Sequence, residues 1–280
     1  MREQMEAALH LSHPYGRPVI GWPDEIRHIG RMEASNFFNH HYAPNNAILI
    51  VAGDVTAQDV RATAEKTFGK LQARDLVGRA EYAQPPRLAE TRMSIVRSDV
   101  KVPIFLRLYR VPSYTEATPG KAESLQVLSQ LLGGDLTGAL YQRLVVEKKL
   151  ATEAGATYDG YARDAGEFSV YAVPKPGVRM DVLERATDEV LTRYMAAVPK
   201  ADELARAKTQ LVADATYRHD SQYQMAATYG QALAIGLTID DVEEWPDRIR
   251  AVTGENVRKA AGEFLKKKEA VTGYLLPQKK

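Results

Sequence analysis

Cysteine is absent from the 280 residues. That excludes disulfides, thiolate zinc sites, iron–sulfur clusters and cysteine nucleophiles. It leaves the compartment open, because a cysteine-free chain suits oxidising and reducing spaces alike. Long apolar runs are missing too; none approaches the ~18 residues of a membrane span. Charge of one sign is also lacking. Lys and Arg number 37 and Asp and Glu 36, for a net charge of +1, so no electrostatic footprint for nucleic acid stands out. The 14 tyrosines are scattered and form no stacking platform for bases. The opening MREQMEAALHLSHPYG has no continuous apolar stretch and carries glutamates early, so it does not read as a signal peptide. Met1 starts within a polar helical pattern that no cap precedes, and a further segment is expected upstream.

What is present is globular: 45% of residues are hydrophobic and 26% charged. At ~150 residues per domain the length suggests two domains. Residues 24–42 read as a helix stopped by Pro44. Residues 47–52 (AILIVA) read as a buried strand ending at Gly53-Asp54, and Thr56 as the cap of a helix running to Phe68-Gly69. Residues 72–88 are polar and contain Pro85-Pro86, a linker composition. Strands are expected near 91–97 and 104–111, then helices over 119–132 and 137–149, with Gly133-Gly134 between them. Strands near 153–159 and 167–173 follow, then helices over 178–197, 201–218, 221–235 and 254–266, and a last strand from Val271 to Leu276. The class is α+β, with a mixed or antiparallel sheet covered by helices. One strand and two helices before the linker cannot bury a sheet face alone, so the first domain reads as incomplete.

No complete active site emerges from the residues alone. The histidines are His10, His13, His28, His40, His41 and His219. Neither H-E-x-x-H nor H-x-x-E-H occurs. His10 and His13 read as surface or loop residues, and adjacent His40 and His41 point about 100° apart on a helix. Phosphate-loop patterns and G-x-S-x-G are absent. Gly133–Gly138 reads as a tight turn rather than an anion cradle, since Asp135 would repel phosphate. Glu147, Glu153 and Asp159 read as solvated charge.

A set of ordered motifs nevertheless resembles a known family. These are His13-Pro14-Tyr15-Gly16, Tyr42-Ala43-Pro44-Asn45-Asn46-Ala47, and Val51-Ala52-Gly53-Asp54. Leu132-Gly133-Gly134 follows, then Leu140-Tyr141-Gln142-Arg143-Leu144, Gly166-Glu167-Phe168 and Thr272-Gly273-Tyr274-Leu275-Leu276-Pro277. Together they resemble the insulinase/pitrilysin metallopeptidases, the inverzincins, and especially bacterial members similar to the mitochondrial processing peptidase. The resemblance implies two related α+β domains. Residues 1–71 would be the back of the zinc-type domain, 72–89 the linker, and 90–280 the second, non-zinc domain. It implies no catalytic residue, metal ligand or cofactor in this chain, with zinc expected in a longer parent, because the family's H-x-x-E-H lies upstream of the matching segment. There, two histidines one turn apart hold Zn²⁺ and the glutamate activates water. The family's second domain also carries an arginine and a tyrosine seven residues apart that bind substrate and stabilise the oxyanion. Those places hold Val145 and Thr152, which cannot supply a guanidinium fork or a phenol.

Three functions follow as expectations. The first is a fragment of a zinc endopeptidase subunit whose partner carries the arginine/tyrosine pair, inactive as it stands. The second is a non-catalytic partner subunit forming half of a peptide-enclosing chamber. The third is a peptide-binding scaffold. Expected partners are a peptide substrate and a second related subunit, with neither nucleic acid nor a membrane span. A periplasmic location is favoured.

Overall fold

The computed structural model describes every residue except Val77, Arg79, Lys279 and Lys280. Its centre is one five-stranded mixed sheet built from β1 (Thr91–Arg97), β2 (Ile104–Val111), β3 (Ala151–Asp159), β4 (Gly166–Pro174) and β5 (Val271–Pro277), in the order β1-β5-β2-β4-β3. The β1–β5 pair is parallel; the other three are antiparallel. Strand β2 shows why both faces are covered. Its side chains alternate, so Phe105, Tyr109 and Val111 point into the main core while Leu106 and Leu108 join a second cluster.

The main core lies under α5 (Lys121–Gly133), α6 (Met180–Ala196) and α11 (Gly254–Phe264), backed by α7 (Ala201–Arg218) and α10 (Trp245–Ala251). Helix α5 reaches the sheet closely because of Gly133. A Cβ there would sit 2.2 Å from the backbone of Ala156 in β3. The opposite face carries α1 (Arg2–Leu9), whose Met5 and Leu9 are fully buried against Leu106, Leu108 and Val271. Their spacing of four places both on one helical face. A Cβ at Gly273 would meet Met5 Sδ at 2.4 Å, so glycine lets the helix seat. Arg2 anchors the start of α1 by donating to Glu167 of β4 at 2.6 Å.

Beneath α6 the sheet holds a buried ionic network. The Arg107 guanidinium is 1% exposed. It donates to Thr272 at 2.9 Å, to Glu184 at 2.7 Å and to Asp188. Burial would raise the Glu184 carboxyl, but hydrogen bonds from Arg92, Tyr274 and Lys267 and the Arg107 charge outweigh it and hold it at about 2.

Residues 17–80 differ from the expectation in two ways. The helix expected over 24–42 is split into α2 (Pro23–Arg27) and α3 (Arg31–His41). The Gly30 N–H donates to Glu33 at 2.9 Å and starts a new helix. The strand expected over 47–52 is not formed. A strand needs a ladder partner, and none of the described residues supplies one. Ile48, Leu49 and Val51 are about half exposed, and only Ile50 reaches inward, towards Gly230 of α8 (Gln222–Ile235). The next helix, α4 (Ala57–Thr67), forms as expected, with Thr56 accepting from the Asp59 N–H at 3.2 Å. Helix α9 (Ile239–Glu243) and α10 were not anticipated. No helix is long and apolar enough to cross a membrane among the described residues.

Candidate functional site

The segment that resemblance marks for substrate contact is a turn between α5 and β3. The expected helix over 137–149 is instead a 3-10 turn (Asp135–Thr137) followed by a π-helix (Tyr141–Glu147). The Lys148 N–H donates to Arg143 O at 3.0 Å, five residues back. Such stretches often mark functional sites. Lys149 then turns the chain with φ +54°, a left-handed conformation. Leu144 is fully buried, and Val145 is half-buried against the main core. Thr152 is exposed in the irregular start of β3, where the register shifts between Ala151 and Glu153. Its hydroxyl donates weakly to Val173 O at 3.4 Å. The turn thus offers an aliphatic side chain and a hydroxyl already directed at the backbone. Neither can present a cationic fork. Arg143 faces solvent and pairs with Glu147 one turn along. Glu153 and Asp159 are exposed, and Gly133–Gly138 forms the tight turn the sequence suggested.

The histidines do not assemble into a metal centre. His28 Nδ1 lies 2.6 Å from Asp24 O and His40 Nδ1 2.6 Å from Asn36 O, both on exposed helices. Among the described residues, no group of three or more His, Asp or Glu is placed to hold a metal ion. Zinc therefore does not fit the described residues.

His10 and His13 correct the sequence reading: they are buried, at 9% and 8% exposure. They close a seam between the end of α1, the turn Pro14–Gly16, the linker and the β2 and β4 ends of the sheet. The Gln84 amide fixes the geometry. Its Oε1 accepts from the Leu11 N–H at 3.2 Å, which leaves its Nε2 facing His10 Nδ1 at 3.3 Å. Arg87 donates to Ala8 O and, at 2.6 Å, to Thr91 Oγ1, a cation at the α1 C-terminus. Ser12 donates to Ala83 O at 2.8 Å. The His13 ring packs edge-on against Tyr15 and Tyr82, and its Nε2 lies 3.3 Å from Asp164 Oδ2. Burial, with His13, Arg110 and Arg87 adding to it, pushes His10 down to about 4. The missed signal was the spacing of Met5 and Leu9, which makes α1 amphipathic and draws the histidines after it into the interior.

Fold and site together define a five-stranded mixed sheet covered by helices, with no cluster of metal ligands among the described residues. The model of the Peptidase M16 inactive domain matches residues 28–211, and the chain belongs to that family. It is 25% identical over 270 residues to the zinc protease PqqE of Helicobacter pylori, covering 96% of this chain and 60% of that protein. It is 25% identical over 285 residues to a probable mitochondrial-processing peptidase subunit beta of Arabidopsis thaliana, covering 98% and 52%. The crystal structure of a protease from Helicobacter pylori superposes with a TM-score of 0.88 at 23% identity, over 96% of this chain and 64% of that one. The chain thus spans 52–60% of the length of these two curated relatives.

Proposed function

We propose that these residues are the substrate-enclosing portion of a zinc-dependent endopeptidase subunit. In this reading the metal-bearing helix belongs to a longer parent chain, and the 280 residues alone do not cleave peptides. The observation that carries the reading is the match to the M16 inactive-domain family over residues 28–211. Ile48, Leu49 and Val51 support it, half exposed in a segment of strand composition with no ladder partner among the described residues.

The substrate is an unfolded peptide held in a closed chamber between two related subunits. Backbone hydrogen bonding to an added strand makes selectivity broad, with size and shape as the limits. Val145 and Thr152 stand where the family places its arginine and tyrosine. This subunit therefore contributes zinc chemistry from its parent, and the partner contributes the oxyanion donors. The test is reconstitution. The purified parent subunit is assayed on an unfolded peptide alone, and then mixed with a related subunit carrying the arginine/tyrosine pair. Cleavage only in the mixture is the expected result. Full cleavage by the parent alone would sink the division of labour.

A further inference from the structure

We propose that the seam around His10 is an acid-operated latch, which holds α1 and the turn after it against the sheet and releases them when His10 is protonated. The argument begins with hydrogen-bond polarity. The Gln84 amide is oriented by the Leu11 N–H, so it presents a donor to His10 Nδ1. That nitrogen must therefore be an unprotonated acceptor. A proton on it sets N–H against N–H at 3.3 Å, inside a seam that water does not reach freely.

Charge acts in the same direction. The groups facing His10 are Arg87 from the linker, Arg110 from β2, and His13 and Tyr15 from the turn. Arg110 reaches Pro85 O through Nη2 at 3.5 Å, and its Nη1 is buried without a partner. A protonated His10 joins two guanidinium groups with no carboxylate in contact. The acidic groups nearby are otherwise engaged or distant from it. Asp164 sits against His13, and the Glu116 carboxyl, raised by burial, lies among Asp164, Arg110 and His13. Glu6, one turn before His10 on α1, and Glu167 of β4 are both paired with Arg2.

The latch controls a large surface for its size. Besides the Arg2 contacts, α1 is held by Met5 and Leu9 and by the seam at its C-terminus. Loosening the seam frees one end of the helix. It then bares the apolar sheet face formed by Leu106, Leu108 and Val271, with Met93 and Tyr171 beside it. The inference concerns this chain alone and stands whether or not the peptidase reading holds.

Hydrogen exchange on the full 280-residue chain tests it, at pH 7 and pH 5, with rates corrected for intrinsic pH dependence. Amides of residues 2–16 are expected to exchange about 10- to 20-fold faster at pH 5, relative to α11, as linkage to one suppressed histidine requires. Gln84→Glu supplies an acceptor to a protonated His10 and still accepts from Leu11, so it is expected to abolish the acid response. His10→Gln, neutral at both values, is expected to abolish it too. Acid-independent exchange of residues 2–16 in the unmodified chain overturns the latch, as does a full acid response in Gln84→Glu. Should His10→Gln fail to fold, those two measurements decide.

Discussion

At the scale of single residues, the structure concentrates its electrostatic cost at Arg107. A buried guanidinium is tolerable only while Glu184, Asp188 and Thr272 accept from it. Arg107→Met is expected to cost about 1–3 kcal/mol, because Glu184 and Asp188 lose their buried cation while Glu184 keeps Arg92, Tyr274 and Lys267 and Asp188 keeps Lys267, and the shift of the urea midpoint measures it. The Glu184 carboxyl is held at about 2 against an ordinary 4.5. Its contribution is complete above pH 4.5 and is lost as pH falls towards 2; with solvent screening it is on the order of 1–2 kcal/mol. Glu184→Gln should therefore flatten the stability profile below pH 4.5. Lys149 is a smaller case. Its φ of +54° suits glycine, and Lys149→Gly is expected to leave stability unchanged or raise it by up to ~1 kcal/mol in thermal melts.

At the scale of elements, α1 is the instructive one. Leu9→Ala removes a fully buried side chain from the cluster on the second sheet face. A loss of about 2–4 kcal/mol is expected. It should fall on α1 first, seen as lost exchange protection over residues 2–16 while α5 and α11 stay protected. The elements that the sequence announced correctly carry their own punctuation. Helix α7 and strands β1 and β2 matched the periodicity, and α4 began at the Thr56 cap. The misses have physical reasons. Residues 47–52 have strand composition but no ladder partner. The π-helix differs from an α-helix by one residue per hydrogen bond, which apolar spacing over two turns does not resolve. Residues 10 and 13 looked peripheral because Pro14 follows them, yet α1 carries them under the linker. In the site itself, Val145 and Thr152 were legible only through resemblance, by their place after the Leu-Gly-Gly and Leu140–Leu144 motifs. The seam was illegible, since Gln84, Arg110 and Asp164 approach His10 and His13 from distant parts of the chain.

At the scale of the whole molecule, the sheet is complete and covered on both faces, whereas residues 17–80 bury almost nothing; Ala43 alone among their described apolar residues is buried. A stable half joined to an under-packed one should unfold unequally. Limited proteolysis is expected to cut within residues 17–80 and leave a resistant piece containing β1 to β5. Such a molecule has the fold of the M16 inactive domain, and its described residues bring no cluster of metal ligands together. The most direct check is the zinc content and peptide-cleaving activity of the folded 280-residue chain, after gel filtration in zinc-containing buffer and exchange into zinc-free buffer. The account predicts a folded chain with no stoichiometric zinc and no cleavage of an unfolded peptide. One zinc retained per chain, together with cleavage that a chelator abolishes, would contradict it.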